Sequence, residues 1–209
     1  MLNPATSGVE LPDDALLKKF DVPAPRYTSY PTADRFHAGY TAADYEAALE
    51  GRGEAAKKTG LSLYCHIPFC NDVCFYCGCN KVVTRDHERS AEYMRVMLEE
   101  ADLVGEKLTG SRTLEQLHWG GGTPTFLTDD EILFLMGEIQ KRFPFEADGE
   151  FSIEVDPRSC PVGKVKTLRQ AGFNRMSLGV QDFNPEVQKA VNRIQPIEIT
   201  REVLEAARA

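Results

Sequence analysis

Hydrophobic and polar positions keep no steady rhythm until about residue 60, and from there two periods take turns. Leu61 to Ile67 alternates, with Leu61, Leu63, Cys65 and Ile67 on one face, which predicts a strand. Ser90 to Leu108 places Tyr93, Met97, Ala101, Val104 and Leu108 at helical spacing. Glu92, Arg95, Glu99, Asp102 and Glu106 cover the other face as an ordinary solvated stripe, and Gly110 suits the stop. Leu114 to Trp119 predicts a second strand. Thr128-Asp129-Asp130-Glu131 is a capping-box pattern that opens a helix to about Arg142, where Pro144 blocks continuation. Glu150 to Val155 predicts a third strand, and Val162, Val165 and Leu168 share one face of a helix that Gly172 can close. Asn174 to Gly179 predicts the fourth strand, Pro185 the first residue of a short helix, and about Glu198 to Arg208 a last helix.

The order is β-α-β-α-β-α-β-α, which implies an α/β fold with parallel strands and right-handed helical crossovers. Four such units do not close an eight-stranded barrel, so the pattern fits either a small open sheet or the front part of a TIM-type (β/α) barrel. Residues 1–60 read as an irregular, partly helical leader, and residues 61–209 as the α/β part. Pro23, Pro25 and Pro31 break any long helix in the leader, and Tyr40 to Leu49 is its one plausible short helix.

Composition changes this picture little. The chain has 209 residues, 42% hydrophobic and 27% charged, as in ordinary globular proteins. A net charge of -8 disfavours bulk attraction to nucleic acid or an anionic membrane. No apolar run reaches spanning length, and the N-terminus carries no signal-peptide pattern, so a cytoplasmic setting with no membrane insertion is expected. The cysteines change more. Five of the six fall between Cys65 and Cys79, with Cys160 alone. Such clustering argues against a disulfide scaffold and for metal or redox chemistry.

After the first strand comes Cys70-x3-Cys74-x2-Cys77, with the aromatic Tyr76 before the last cysteine. Three thiolates on one loop can hold three irons of a [4Fe-4S] cube and leave the fourth open to a ligand. Zinc is the competing metal, although structural zinc prefers paired knuckles and no second pair exists. Three reduced cysteines without metal is the remaining alternative. Gly120-Gly121-Gly122-Thr123-Pro124 follows the second strand. It is neither GxGxxG nor a P-loop, and its free main-chain groups could hold the amino-acid end of a ligand, unless it is a simple turn. Glu154 ends the third strand, Gln181 and Asp182 follow the fourth, and Arg193 is expected at the end of the next helical segment. Each alone reads as structural. Together they mark the C-terminal ends of successive parallel strands, where the ligand sites of such folds lie. His66 is either a group behind the cluster or a core histidine. Cys65 reads as core filling, Cys160 as having no catalytic role, and Trp119 and Phe143 as packing.

The cysteine loop resembles the signature of the radical S-adenosylmethionine (SAM) superfamily. Four segments further resemble the oxygen-independent coproporphyrinogen III oxidase family: PRYTSYPTA at 25–33, LYCHIPFCNDVCFYCGCNK at 63–81, LHWGGGTPT at 117–125, and IEVDPR with GFNRMSLGVQDFN at 153–158 and 172–184. The resemblance implies a partial barrel of the radical SAM kind, a [4Fe-4S] cluster on Cys70, Cys74 and Cys77, and two SAM molecules. Tyr64, Gly121 and Glu154 would contact the first SAM, and Tyr76, Gly122, Thr123, Gln181 and Arg193 the second. Cys79, beside the cluster, and His66 are candidate catalytic groups. The implied chemistry is cleavage of SAM to a 5′-deoxyadenosyl radical. The radical removes a hydrogen from each of two propionates of coproporphyrinogen III, which lose CO2 and become the vinyls of protoporphyrinogen IX. Arg26, Lys81, Arg85 and Arg193 are candidate contacts for this polyanion, and residues 25–33 a candidate cover for it. An external electron donor is implied, and a monomer is expected. Family members are longer, so the chain looks like an N-terminal portion, expected to be inactive alone. The alternatives are a related heme-binding chaperone, which would lack Cys79 and the YTSYPTA run, and a zinc-bound structural module.

Overall fold

The computed structural model describes residues 12–23, 32–52 and 59–209. Arg26 and residues 25–31 of the tyrosine-rich run lie outside the described residues. The chain divides into two compact units, Met1–Ala42 and Ala43–Ala209. The first holds helix α1 (Asp14–Phe20) and a 3-10 turn at Ala33–Arg35. Asp13 caps α1, its carboxylate accepting the Leu16 N–H at 2.7 Å. Helix α1 is absent from the sequence reading because seven residues give too short a window for a period.

Helix α2 (Ala42–Glu50) falls almost wholly in the second unit. It is tied to the end of the next helix by Lys107, paired with Glu46 and Glu50, and by Thr109, which donates to the Glu50 carbonyl.

The second unit is built on four parallel strands in the order β1-β4-β5-β6: β1 (Leu61–Ile67), β4 (Leu114–Gly121), β5 (Phe145–Val155) and β6 (Arg175–Leu178). Helices α3 (Glu88–Lys107), α4 (Asp129–Arg142) and α5 (Val162–Ala171) alternate with them, and α6 (Pro185–Ala190) and α7 (Ile197–Arg208) follow β6. This is the predicted α/β order, a partial (β/α) barrel-like fold.

The local signals account for its punctuation. Thr128 and Glu131 form both halves of the capping box at the start of α4. Glu131 also accepts from the buried Ser90 hydroxyl, which joins the starts of α3 and α4. Gly172 closes α5 at φ 104°, a conformation that costs a side-chain-bearing residue steric strain. Asn184 caps α6, with Pro185 at its first position.

Two strands run longer than their pattern predicts. β5 starts directly after Pro144, because Phe145 pairs with Leu114 before an irregularity moves the register to Glu150 opposite Gln116. β4 runs through Gly120 and Gly121 because His66 and Ile67 of β1 pair with them. Glycine has low strand propensity, so neighbouring strands rather than local preference extend β4 there.

Ile67, Leu114, Leu117, Trp119, Ile153, Ile132, Leu135, Ile139 and Leu168 are essentially inaccessible and form the core between one face of the sheet and the helices. Trp119 packs edge-on against Phe173, and Phe143, Cys65 and Cys160 are buried, in line with packing roles. No helix among the described residues is long and apolar enough to cross a membrane.

Candidate functional site at the C-terminal strand ends

The cysteine loop begins where β1 stops. Two short parallel strands hold its ends together: β2 (Phe69–Cys70) pairs with β3 (Val82–Val83). The Val82 N–H donates to the Pro68 carbonyl at 2.8 Å and the Thr84 N–H to the Cys70 carbonyl at 2.9 Å. Phe69 packs beneath, against Tyr93 and Phe126. A two-residue ladder carries no readable period, so this clamp is invisible in the sequence.

The loop lines a cavity of about 390 Å³ with Cys70, Cys74, Cys77, Cys79 and Tyr76. Each thiol of the Cys-x3-Cys-x2-Cys set has a different neighbour. Cys70 lies 3.3 Å from the Thr123 hydroxyl. Burial raises its pKa, and the bond to Thr123 opposes that rise. Cys74 lies under two guanidiniums, Arg193 at 3.7 Å and Arg158 at 3.8 Å. Cys77 sits beside Cys79 and Lys81. Burial would raise its pKa, but hydrogen bonds from Cys79 and the Lys81 ammonium prevail and lower it. The bond to Cys77 raises the pKa of Cys79 in turn. Burial pushes the Tyr76 phenol up to about 12 against the pull of Arg193.

Gly121 and Gly122 form the opposite wall, and each of the three glycines is closely approached by a different neighbour. A Cβ on Gly120 would meet the Glu154 carboxylate at 3.0 Å. One on Gly121, at φ 116°, would meet the His66 ring at 2.8 Å. One on Gly122 would strike the Pro68 carbonyl oxygen at 2.4 Å. A simple turn does not explain three such restrictions. Their N–H groups are not free, contrary to expectation. Gly121 donates to Glu154 at 3.3 Å and Gly122 to the Ile67 carbonyl at 2.9 Å. The Glu154 side chain takes one of these donors and the end of β1 the other, so these two glycines contribute space rather than free N–H groups.

Glu154 connects this wall to a chain of polar groups on the open face of the sheet. His118 lies 3.5 Å from Glu154 and 2.7 Å from the Ser152 hydroxyl, and Tyr64 stacks on His118. The Tyr64 hydroxyl lies 3.0 Å from Nδ1 of His66, whose Nε2 lies 2.8 Å from the Asn80 carbonyl. A carbonyl only accepts, so Nε2 carries a proton, and in the neutral ring Nδ1 then accepts from Tyr64. His66 therefore ties β1 to the end of the cysteine loop rather than filling the core. Burial first, and Glu154 next, raise the Tyr64 pKa.

On the far side, Asp156 follows β5. Its carboxylate accepts from Arg158 at 2.7 Å and from Arg193 at 3.1 Å. Burial opposes its charge, but the two arginines outweigh that and lower its pKa. Arg193 also donates to the Gly179 carbonyl and to Gln195.

These features match a known family. The radical SAM superfamily matches residues 64–209. The chain belongs to the radical SAM superfamily. An oxygen-independent coproporphyrinogen III oxidase of Pseudomonas aeruginosa is 48% identical over 198 residues, 94% of this chain and 43% of that protein. One of Escherichia coli is 45% identical over 196 residues, 94% of this chain and 42% of that protein. The solved structure of the Escherichia coli coproporphyrinogen III oxidase HemN, described as a radical SAM enzyme, superposes with a TM-score of 0.80 at 42% identity, over 93% of this chain and 42% of that one. The chain thus spans about two-fifths of the length of these relatives.

The family implies a [4Fe-4S] cluster and SAM, and the donor set fits. Soft thiols suit iron–sulfur chemistry. No group of three or more His, Cys, Asp or Glu side chains among the described residues closes on one ion-sized point. The three thiols instead stand around the wall of a cavity large enough for more than a single ion. Gly121, Gly122, Thr123, Glu154, Gln181, Arg193 and Lys81 line the same cavity.

Other candidates are placed differently. Tyr64 lines a second cavity on the open sheet face. Asp182 serves the turn into α6, accepting the Asn184 N–H. Arg85 is paired with Asp72 on the cysteine loop. Arg193 lies in the turn after α6 rather than at a helix end, and Asp156, Gln195 and Gly179 already engage its guanidinium. Arg158, Asp156, His118 and Ser152 went unnoticed in the sequence. Asp156 and Arg158 stand in the quoted IEVDPR segment, and their place just after a strand was the available signal.

Proposed function

We propose that this chain supplies the cluster- and SAM-binding part of an oxygen-independent coproporphyrinogen III oxidase of heme biosynthesis, one that converts coproporphyrinogen III to protoporphyrinogen IX. The observation that carries the reading is the convergence of Cys70, Cys74 and Cys77 with the glycine wall and Glu154 on one cavity at the strand ends.

Cys70, Cys74 and Cys77 would hold three irons. When bound, the cluster and SAM supply the one-electron chemistry that removes a hydrogen from each propionate before CO2 leaves. The chain's own residues bind and orient. Gly121 and Gly122 keep the wall open, and Glu154 offers a carboxylate to the ammonium of a first SAM, with Tyr64 beside it. Tyr76, Gly122, Thr123, Gln181 and Arg193 would line a second SAM site. Lys81 donates to the carbonyls of Cys77 and Cys79 at 3.0 and 3.5 Å and pairs with no carboxylate among the described residues. Its charge is thus available to a propionate, whereas Arg158 and Arg193 both engage the one Asp156 carboxylate. Cys79, exposed beside Cys77, is the candidate for direct work near the cluster. The reading includes an external electron donor, a cytoplasmic setting and a monomer.

Anaerobic reconstitution with iron and sulfide tests it. The expected result is about four irons with a cluster absorption band, reductant-dependent SAM cleavage, and decarboxylation of coproporphyrinogen III by the intact protein. Stoichiometric zinc in place of iron would overturn the reading. A stable cluster that never cleaves SAM would point to a heme-binding chaperone instead.

A further inference from the structure

We infer that Asp156, Arg158 and Arg193 form a charge hub that sets the reduction potential of a cluster held by Cys74. The inference rests on the proposed cluster reading. The DPR of the IEVDPR segment has no role in that reading, yet it places an ion triplet on one thiol.

Asp156 is 11% exposed in its side chain, Arg193 10% and Arg158 24%, so the charges act in a medium far less screening than water. The carboxylate grips Arg158 with both oxygens, and Arg158 also donates its own backbone N–H to it. It takes Nη1 of Arg193 as well. That same Nη1 and the Arg158 Nη2 then point at the Cys74 sulfur.

The turn that carries Arg193 is fastened to the cysteine loop. The Phe75 N–H donates to the Val191 carbonyl at 3.0 Å, and the Asn192 side chain donates to the Val73 carbonyl at 2.7 Å. Asn192 adopts φ 53° there, a left-handed conformation that asparagine tolerates better than most residues. The fastening fixes the guanidinium over the sulfur.

One-electron reduction makes a cluster more negative. N–H donors and positive charge at a ligating sulfur favour the reduced form and raise the potential. The hub carries two positive charges against one negative. Removing an arginine should therefore lower the potential, and neutralising the aspartate should raise it.

Redox titration of the anaerobically reconstituted protein, followed by the electron paramagnetic resonance signal of the reduced cluster, tests this. Arg158→Gln should retain iron and sulfide and shift the reduced-to-oxidised ratio at a fixed potential about tenfold toward oxidised, which is ~59 mV for one electron. Arg158→Lys should recover part of that shift. Asp156→Asn should shift the ratio the opposite way. A hub that merely holds the loop would move both potentials together or not at all, and either result overturns the inference. Should Arg158→Gln lose its cluster, Asp156→Asn decides: an upward shift supports the hub, and no shift or a downward one rejects it. A parent protein that assembles no cluster refutes the proposed function itself, which is a different outcome from equal potentials among loaded variants.

Discussion

The two faces of the same four strands have opposite chemistry. Toward the helices stand Cys65, Ile67, Leu117, Trp119, Ile153 and Val155, all buried. Toward the open side stand Ser62, Tyr64, Gln116, His118, Glu150, Arg175 and Ser177, which border a second cavity. A strand's period of two puts both sets on one stretch of chain. The first face holds the sheet together, and the second, with the strand ends, presents polar groups to two cavities. Substitutions on the two faces should therefore separate stability from binding, and four changes test that separation.

The largest effect belongs to the buried face. Ile153→Ala should cost about 2–5 kcal/mol of unfolding free energy, because it leaves a cavity among side chains that cannot close it. Chemical denaturation measures this, and a cost no larger than that of an open-face change would break the comparison.

Gly121→Ala lies where the faces meet the site. The left-handed φ and the His66 ring should make it cost about 1–3 kcal/mol. It should also weaken SAM binding, since the ring must leave the Asn80 carbonyl to make room; calorimetry and denaturation together check both.

Third comes pH. Burial pushes the Cys65 thiol from 9.0 up to about 12. The folded state keeps this proton while the unfolded chain releases it, so stability is full below pH 9. It should then fall as pH rises toward 12, by about 1.4 kcal/mol per unit. The loss should shrink in Cys65→Ala, measured by unfolding at pH 8 to 10. An unchanged slope would show that Cys65 is not the group responsible.

The smallest change in stability is expected at Glu154→Gln on the open side, within about 0.5 kcal/mol of the parent. SAM affinity should nevertheless fall about tenfold or more, as for a lost charged hydrogen bond. A large loss of stability with unchanged affinity would reverse the roles of the two faces.

Much of the first face was legible along the chain. The alternation at Leu61 to Ile67, the helical stripe after Ser90, the Thr128 capping box and the Gly172 stop all lie within a turn or two of the residues they govern. They needed no partner to be read. The cysteine loop was equally plain, because its three thiols are close in sequence. The glycines were visible as a motif, but only the folded sheet shows that the N–H groups of Gly121 and Gly122 are taken, by Glu154 of β5 and by Ile67 of β1.

The sequence by itself determined the parallel α/β order, the place of the candidate site at the strand ends and the thiol set. The tertiary structure alone decided which groups surround each thiol. Arg193 reaches Asp156 across 37 positions and Cys74 across 119. Periodicity and capping act over one or two turns, whereas a charge hub forms only when folding brings distant segments to one low-dielectric point. Whether Arg193 would be a free cation or a paired one was therefore settled by packing, not by its place in the chain.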